Sequence, residues 1–502
     1  MINNVIEYLR RSADRYPEKT AVVDETSSIT YRELDCRARQ IAALIHKRCP
    51  KVKNQPIAVY MGKGIGCLAA FLGVAYSGNF YAPLDVKSPS SRVTRILEVL
   101  QPAAVLHDCC LPDEIDRFCS SIDISAVADS GPDAPEIDAF RSILDIDPLY
   151  VMFTSGSTGQ PKGVVISHRS VIDYAEWLED TFQFSAQTVF GNQAPFYFDN
   201  SILDIYSTIK NGAAMVIIPE HLFSFPGALI EYINAQRINT LFWVPSALIG
   251  VANSGVLDKT EMPELQKVLF CGEVMPNKQL NIWRKRYPEV LYANLYGPTE
   301  ITDVCTCYIV DRPFADDDPL PIGIPCKNTE VLVLNEANRA VHGDETGELC
   351  VRGICLSAGY YNNEEKSNEA FVQNPLQTKY RDLIYRTGDL VKYNEYGEII
   401  YIGRKDFQIK HQGYRIELGE IEAAACGLSQ MKQCCAVYDA ENQRIVLYCV
   451  LDPILPEKDI YMFLKGKLPV YMLPKKILIR QALPLNANGK IDRLALKEES
   501  SQ

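Results

Sequence analysis

The feature that most constrains the fold is the regular alternation of short apolar runs with helical patterns between about residues 20 and 400. Strands that are buried on both faces give continuous apolar runs, and strand–helix alternation favours parallel sheets covered by helices. The clearest strand-like runs are AMVIIP (214–219), NTLFWVP (239–245), KVLFCGE (267–273) and VLYANLYG (290–297). The sequence therefore predicts an α/β protein whose large N-terminal domain consists of helix-covered sheets.

The pattern changes twice towards the C-terminus. Residues 347–401 are rich in Gly, Tyr and alternating apolar residues, which predicts a smaller, partly antiparallel β subdomain. Beyond Arg404 the predicted elements are a helix over about 416–427, a strand over 446–451 and a helix over 457–467. We predict two domains, a core of residues 1–404 and a small mobile α+β lid of residues 405–502.

Composition excludes some partners and compartments. The chain of 502 residues has a net charge of −12, which argues against nucleic acid or an anionic membrane surface as the main partner. The first twenty residues predict an amphipathic helix and not a signal peptide, and no stretch has the apolar length of a membrane span. The 16 cysteines lack zinc-ligand spacing, so we expect reduced thiols. We predict a cytoplasmic protein that does not insert into membranes.

An apolar run leads into TSGSTGQPKG (154–163), a loop of glycines and small hydroxyl residues. Such a loop lets backbone N–H groups and hydroxyls approach phosphate oxygens closely. The common P-loop pattern is absent, because Pro161 occupies its second glycine position. We predict a phosphate-binding loop that includes Lys162; the alternative is a flexible surface loop.

Two later motifs complete a nucleotide site. In ANLYGPTEITD (293–303), Tyr296 offers a ring that can stack on adenine and Asn294 an amide for the base edge. Glu300 offers the hard oxygen ligand that Mg²⁺ prefers. In YRTGDLVKY (385–393), Asp389 follows a tight turn, and a carboxylate placed there can accept hydrogen bonds from both ribose hydroxyls. The alternative for Asp389 is an ordinary turn residue.

The last two motifs lie at the predicted domain junction and near the chain end. YIGRKDFQIKHQGYRIELGEIE (401–422) contains Arg404 and Asp406 ahead of a predicted helix. In LPLNANGKIDRLAL (483–496), a tight Asn-Gly turn presents Lys490. A lysine is a mobile point charge that suits a carboxylate and a phosphate oxygen together. The alternative for Lys490 is a solvated terminal lysine.

In this order the five motifs resemble those of the adenylate-forming superfamily of acyl-CoA synthetases, luciferases and peptide-synthetase adenylation domains. The resemblance covers nearly the whole chain and also includes TYRELD (30–35), YSGNFYAPLD (76–85) and GELCVRG (347–353). It implies an enzyme that joins a carboxylate to the AMP of ATP, with Mg²⁺ as a cofactor and release of pyrophosphate.

Within that superfamily, FDNSILD (198–204) resembles the amino-acid-activating branch, in which the aspartate, here Asp199, pairs with the α-ammonium of the substrate. Residues 191–212, 268–277 and 406–422 are more similar still to D-alanine–carrier protein ligases. That similarity implies D-alanine as the substrate. It also implies transfer to the phosphopantetheine thiol of a carrier protein, which we expect to act in trans because no carrier segment follows residue 496.

The resemblance also implies roles for individual residues. Lys490, Lys162, Thr154 and Glu300 are the expected catalytic groups, with Glu300 as the metal ligand, and Asp406 is the expected hinge of the small domain. The expected ATP-binding residues are Thr154, Ser155, Gly156, Ser157, Thr158, Gly159, Lys162, Asn294, Tyr296, Gly297, Thr299, Glu300, Asp389, Tyr401, Arg404 and Lys490. The expected substrate-binding residues are Asp199, Asn200, Leu203, Phe242, Leu269, Cys271, Gly272, Leu295, Asp303 and Val304.

Asp303 departs from the D-alanine ligase pattern, which has an apolar residue there. A buried carboxylate without a partner is costly. Either Asp303 points to a neighbouring donor and D-alanine remains the expected substrate, or the substrate is serine or a short diamino acid of a nonribosomal-peptide-type pathway. The sequence also leaves open an acyl- or aryl-CoA ligase, which the carboxylate of Asp199 disfavours, and a binding protein with vestigial motifs.

Overall fold

The computed structural model describes residues 2–50, 53–129, 133–155, 160–341, 343–485 and 491–500. The helices are α1 (Ile6–Arg15), α2 (Tyr31–Arg48), α3 (Ile65–Tyr76), α4 (Ser90–Leu100), α5 (Asp113–Asp116), α6 (His168–Phe182), α7 (Ser201–Asn211), α8 (Pro226–Ala235), α9 (Pro245–Asn253), α10 (Asn277–Arg286), α11 (Glu364–Ala370), α12 (Leu418–Ala425), α13 (Glu457–Lys465) and α14 (Arg493–Ser500).

The strands up to the end of the large sheets are β1 (Thr20–Val23), β2 (Ser28–Thr30), β3 (Pro56–Tyr60), β4 (Phe80–Leu84), β5 (Ala104–His107), β6 (Ser121–Asp123), β7 (Pro148–Thr154), β8 (Lys162–Ser167), β9 (Val189–Asn192), β10 (Ala214–Ile217), β11 (Thr240–Trp243), β12 (Lys267–Phe270), β13 (Leu291–Tyr296), β14 (Thr306–Ile309) and β15 (Ile324–Pro325). The later strands are β16 (Thr329–Leu334), β17 (Gly347–Gly353), β18 (Phe371–Gln373), β19 (Leu383–Tyr393), β20 (Ile399–Arg404), β21 (Gln408–His411), β22 (Tyr414–Glu417), β23 (Met431–Asp439), β24 (Arg444–Leu451) and β25 (Lys476–Ile479).

Two largely parallel sheets form the centre of the molecule. The nine-stranded sheet has the order β15-β14-β13-β12-β11-β9-β10-β1-β2, and the six-stranded sheet has the order β6-β5-β3-β4-β7-β8. The pairs β9–β10, β9–β11, β11–β12 and β12–β13 are all parallel. The four apolar runs in the sequence correspond to β10, β11, β12 and β13, so the α/β fold class is confirmed.

Helix starts follow local sequence signals where these exist. α2 begins in the TYRELD motif, where the hydroxyl of Thr30 accepts a hydrogen bond from the backbone N–H of Glu33 and the Glu33 carboxylate accepts one from the N–H of Thr30. This reciprocal cap satisfies two N–H groups that the helix leaves free. The motif therefore serves to fix the start of a helix that packs on α3.

The smaller sheets match the two changes in sequence pattern. β16, β17, β19, β18 and β20 form an antiparallel five-stranded sheet. Beyond it, β21 and β22 form a hairpin, and β23, β24 and β25 form a three-stranded sheet covered by α12 and α13. Among the described residues, the buried apolar cluster of this last sheet includes only residues after 405. We call residues 2–404 the N-terminal part and residues 405–500 the C-terminal part; a domain boundary at 404/405 stays a prediction.

All sixteen cysteines lie among the described residues and are free thiols, most of them buried. None of the described helices has the length and apolar character that crossing a bilayer requires.

His168 is the first residue of α6 and follows the helix cap Ser167. Its side chain is buried, and its Nδ1 accepts a hydrogen bond of 3.3 Å from the backbone N–H of Val5. The histidine therefore joins the start of α1 to α6, as expected of a packing residue. Burial lowers the pKa of His168 to about 3, so the ring is neutral in the folded protein.

This buried histidine makes stability depend on pH. In the unfolded chain the ring takes up a proton as the pH falls through 6.5, whereas in the folded protein it does not until about pH 3. The stability contribution is thus complete above pH 6.5 and is lost progressively as the pH falls towards 3. We expect the wild type to lose about 2 kcal/mol more unfolding free energy than His168→Asn between pH 7 and pH 5. Urea unfolding at both pH values measures this, and equal losses would contradict it.

Candidate active site

Neighbouring parallel strands bring the expected substrate residues together. Phe242 on β11 is the register partner of Leu269 on β12, and Leu295 lies on the adjacent strand β13. Because parallel strands present their carboxyl ends at one edge, residues that follow the strands meet there. The apolar residues expected to line the pocket are buried in a single cluster: Leu203, Phe242, Leu269, Cys271, Leu295 and Val304.

Asp199 and Asn200 precede α7 and line a cavity of about 60 Å³ together with Gly272, Thr299 and Asp389. One carboxylate oxygen of Asp199 accepts a hydrogen bond of 3.0 Å from the N–H of Asn200, and the hydroxyl of Thr299 also bonds to the carboxylate. Burial raises the pKa of Asp199, with Thr299 acting in the opposite direction. A cationic group in the cavity would favour the ionised form.

The sequence left open whether Asp303 points to a neighbouring donor or to a polar substrate, and its two oxygens differ in this respect. It is 1% exposed, and Oδ2 accepts a hydrogen bond of 2.7 Å from the hydroxyl of Tyr174, while Oδ1 has no hydrogen-bond partner in the structure. Burial, and then the charge of Asp199, raises the pKa of Asp303 well above its usual value. The surroundings of Asp303 therefore favour the neutral acid over the carboxylate. Tyr174 is the neighbouring donor, and no sequence signal in α6 indicated it.

The phosphate loop connects β7 to the antiparallel strand β8. Gly156, Ser157, Thr158 and Gly159 lie outside the described residues. The hydroxyl of Thr154 is buried without a hydrogen-bond partner in the structure, which leaves it available to a ligand. Lys162 at the start of β8 lies 5.5 Å from the ring centroid of Tyr360, and burial lowers its pKa.

The residues expected to bind adenine lie on β13. Tyr296 donates a hydrogen bond to Oδ2 of Asp389, and the amide of Asn294 donates one of 2.8 Å to the carbonyl of Pro321. A Cβ at Gly297 would lie 2.3 Å from the carbonyl oxygen of Asp303, so only glycine fits at this crossing. The turn at Gly297 therefore connects the residues expected to bind adenine with Asp303, which is expected to bind the substrate.

The expected ribose residues are held by an ion-pair chain. Arg404 donates to Oδ1 of Asp389 at 2.8 Å and forms a two-pronged pair with Asp406 at 2.6 and 2.7 Å. Tyr401 precedes Arg404 on β20, and its ring lies 6.5 Å from that of Tyr296 between centroids. The expected hinge residue therefore bonds directly to the expected ribose residue next to it.

Glu300, the expected metal ligand, has no exposed side-chain surface and uses both oxygens. Oε1 accepts from the hydroxyl of Tyr360 at 2.8 Å, and Oε2 accepts from the guanidinium of Arg415 at 2.6 Å. Burial opposes ionisation, but Arg415 and Tyr360 outweigh it and lower the pKa of Glu300. The ionised form of Glu300 is therefore favoured, and in this structure its carboxylate is paired with Arg415.

These residues fit Mg²⁺ of the kind that uses one protein carboxylate and substrate phosphates. The surroundings of Glu300 favour its ionised form, and Thr154 at the end of β7 has a buried hydroxyl without a hydrogen-bond partner among the described residues. No group of three or more His, Cys, Asp or Glu side chains is arranged for a metal within the parts of the chain that the structure describes. An ion here would depend on ligands from the nucleotide.

The β21–β22 hairpin of the C-terminal part enters the site. The hydroxyl of Ser155 donates to the carbonyl of Arg415 at 2.8 Å and accepts from the N–H of Glu417 at 3.2 Å. Lys410 lies 5.4 Å from the ring centroid of Tyr296. Sequence reasoning assigned no role to Arg415 or Lys410, although both stand in the quoted motif 401–422. Lys490 lies outside the described residues.

Gly413 at the hairpin tip separates the small cavity from a second one of about 490 Å³. Its N–H donates to Glu273 at 3.0 Å, and a Cβ at this glycine would lie 2.5 Å from Val244. The larger cavity shares Phe198, Asn200 and Gly413 with the small one and continues past Lys63 and Lys87. The larger cavity therefore adjoins, at the hairpin tip, the small cavity that Asp199 borders.

Sequence and structure comparisons identify the family. Residues 9–361 match the model of the AMP-binding enzymes, and residues 420–490 match the model of the AMP-binding enzyme C-terminal domain. The chain is 33% identical over 515 residues to a D-alanine–D-alanyl carrier protein ligase of Lacticaseibacillus paracasei, covering 99% of both chains. It is also 33% identical over 512 residues to an L-proline–[L-prolyl-carrier protein] ligase of Pseudomonas fluorescens, covering 98% of both chains.

Among solved structures, the chain is similar to the holo form of an NRPS protein containing adenylation and PCP domains, with a TM-score of 0.86, 25% identity and coverage of 99% of this chain and 84% of that one. The o-succinylbenzoate CoA synthetase of Bacillus subtilis has the same fold, with a TM-score of 0.86, 20% identity and coverage of 99% and 98%. The chain belongs to the AMP-binding enzymes, the ATP-dependent, AMP-forming ligases of the adenylate-forming superfamily.

Proposed function

We propose that this enzyme activates D-alanine as its adenylate and transfers it to the phosphopantetheine thiol of a separate carrier protein. The observation that carries the proposal is Asp199, a carboxylate in a small cavity beside Thr299 and Asp389. A carboxylate in such a pocket favours a substrate with an ammonium group over an uncharged acyl chain. The small cavity and the D-alanine ligase relatives support alanine.

In the first half-reaction, a carboxylate oxygen of the amino acid attacks the α-phosphorus of ATP and pyrophosphate leaves. The residues position the two reactants and compensate charge. Asp199 pairs with the α-ammonium, Asp389 accepts from the ribose hydroxyls, and Lys162 faces the phosphates. Lys490 bridges the carboxylate and the α-phosphate. Mg²⁺ held through Glu300 would supply charge neutralisation on the phosphate oxygens.

In the second half-reaction, the thiol sulfur attacks the acyl carbon, the thiol proton is released and AMP leaves. We propose that the larger cavity, which Lys63 borders, admits the phosphopantetheine arm, because it shares Asn200 and Gly413 with the small cavity that Asp199 borders. The carrier would dock at its outer end, where a cavity of about 920 Å³ is bordered by Lys458, Lys475 and Lys476. Rotation about Asp406 would exchange Lys490 for the β21–β22 hairpin.

Amino-acid-dependent exchange of labelled pyrophosphate into ATP tests the first half-reaction. All D- and L-amino acids and the corresponding desamino acids are offered separately. We expect D-alanine to give the highest rate and propionate to give none above background. Exchange that depends on an acyl or aryl acid and not on any amino acid would replace the proposal with a CoA ligase, and no exchange at all would leave a binding protein.

A second candidate substrate class is serine or a short diamino acid. The specific observation in its favour is Oδ1 of Asp303, a buried oxygen without a partner in the structure that a polar side chain would satisfy. Against it stands the raised pKa of Asp303, because burial and the charge of Asp199 disfavour the ionised carboxylate that would attract a second ammonium.

Asp303→Asn separates the two substrate classes. Because burial favours the neutral form of Asp303 and its carboxyl group is already bonded to Tyr174, the neutral amide should keep D-alanine exchange close to the wild-type rate. If serine or 2,3-diaminopropionate is the true substrate, wild-type exchange is highest with it and the variant loses about 1–3 kcal/mol of that preference. Tyr174→Phe is the control that removes the neighbouring donor and leaves Asp303 in place.

Asp199→Asn tests the ammonium pair. We expect KM for the amino acid to rise by the factor that corresponds to losing a charge-assisted hydrogen bond of roughly 1.5–3 kcal/mol. KM for ATP should change little. Pyrophosphate exchange at varied amino acid and varied ATP gives both constants. An equal rise in both would move Asp199 out of the amino acid site.

Lys490→Ala and Asp406→Pro should separate the half-reactions. The lysine variant should lose pyrophosphate exchange and keep transfer from preformed aminoacyl-AMP. Proline fixes φ, so Asp406→Pro should restrict rotation, with near-normal exchange and slow transfer. Parallel loss of both activities in either variant, with a normal melting curve, would contradict the two-conformation scheme.

A further inference from the structure

One acidic residue of the N-terminal part contacts the tip of the β21–β22 hairpin. Glu273 follows Cys271 and Gly272 in the loop between β12 and α10. Its Oε1 accepts a hydrogen bond of 3.0 Å from the backbone N–H of Gly413, and its Oε2 accepts one of 2.9 Å from the N–H of Ser246. A single carboxylate therefore joins the hairpin tip to the first turn of α9.

The hairpin tip lies closely against the residues around this carboxylate. A Cβ on Gly413 would lie 2.5 Å from Cγ1 of Val244, the residue before α9, so the two chains touch at the backbone of the tip. Burial, and then the charge of Glu273, raises the pKa of Tyr438 on β23 to about 12. The carboxylate thus also lies near a second strand of the C-terminal part.

The contact lies where the two cavities meet. Gly413 borders both of them, and Gly272, the residue before Glu273, borders the small cavity together with Asp199. Under the proposed function, the thiol of the phosphopantetheine arm has to pass the hairpin tip to reach the acyl adenylate. The place of the tip therefore bears on transfer and not on the attack that forms the adenylate.

We propose that Glu273 is a positioning residue for the transfer step, which holds the hairpin tip through Gly413 and does not touch the reacting atoms. This inference rests on the proposed function. The bond from Ser246 lies within the N-terminal part and would persist in both half-reactions. The bond from Gly413 would exist only while the hairpin is at the site, because adenylation needs Lys490 there instead.

The choice of a carboxylate follows from the two donors. Each N–H faces one oxygen of Glu273, whereas a carboxamide has a single acceptor oxygen and can accept from only one of them. Glu273→Gln should therefore lose part of the effect, and Glu273→Ala should lose all of it. Hydrogen bonds to charged groups contribute more than those between neutral groups, so the loss should be measurable.

The test compares the two half-reactions of the full-length enzyme in Glu273→Ala and Glu273→Gln. Pyrophosphate exchange, with whichever amino acid the wild type uses best, measures adenylation. Single-turnover transfer from the purified aminoacyl adenylate to 4′-phosphopantetheine measures the second step. Glu264→Gln is the matched control, since it makes the same chemical change in an exposed pair with Arg237 inside the N-terminal part.

We expect Glu273→Ala to transfer about tenfold more slowly, with pyrophosphate exchange within about twofold of wild type. Glu273→Gln should fall between wild type and Glu273→Ala, which gives a readout if Glu273→Ala folds poorly. Glu264→Gln should be normal in both half-reactions.

Amide hydrogen exchange of the hairpin gives a second readout that needs no turnover. The N–H of Gly413 is itself the donor to Glu273, so peptides that contain the hairpin tip should exchange faster in Glu273→Ala. Peptides from β24 should exchange as in the wild type. A role confined to α9 would instead speed exchange at 245–253 and leave the hairpin unchanged.

Three results would overturn the inference. These are normal transfer in Glu273→Ala, equal loss of exchange and transfer in a stably folded variant, and unchanged hydrogen exchange at the hairpin tip. A wild-type enzyme that gives no pyrophosphate exchange with any amino acid would instead contradict the proposed function. That result is separate, because it needs no variant.

Discussion

The arrangement of the site depends on the ion pair between Arg415 and Glu300. Glu300 is completely buried, and an isolated carboxylate there would be neutral or would unfold the turn that carries it. Arg415 keeps it ionised and simultaneously fixes the β21–β22 hairpin against the phosphate loop through Ser155. The same carboxylate is the oxygen ligand proposed for Mg²⁺. One buried charge can thus pair with a cation from the protein or with a metal that arrives with the nucleotide.

Such an exchange of partners at Glu300 would give a physical reason for two arrangements of the C-terminal part relative to the site. Arg415 and the ion would compete for the same oxygens, and a guanidinium and a divalent cation in one pocket would repel each other. If Mg²⁺ binds through Glu300 as proposed, the hairpin would fit the site only after pyrophosphate and the metal have left.

Local sequence information was enough for the parts of the molecule built from local patterns. The apolar runs at 214–219 and 239–245 predicted strands that the structure contains, and the change in pattern after Arg404 matches the sheets that follow. Three residues from the quoted motifs, Asp199, Thr299 and Asp389, border one cavity. These successes come from short periodicities and turn signals, which do not depend on distant residues.

What the sequence could not provide were the partners from distant elements. Tyr174 bonds to Asp303 across 129 residues, and Arg415 bonds to Glu300 across 115. Neither partner carries a local signal, because an arginine in a charged segment and a tyrosine on an amphipathic helix are ordinary surface and core residues. The orientation of Asp303 therefore required the structure, and with it the protonation state that bears on the substrate.

The proposed first step is the attack of an amino acid carboxylate on the α-phosphorus of ATP. This step can be followed with D-alanine labelled with oxygen-18 in its carboxylate, with 4′-phosphopantetheine as the acceptor and mass spectrometry of the nucleotide products. We expect the released AMP to carry one labelled oxygen and pyrophosphate to carry none, because the carboxylate oxygen remains on the α-phosphorus when the thiol displaces AMP. Formation of ADP, AMP without label, or no AMP with D-alanine would contradict it.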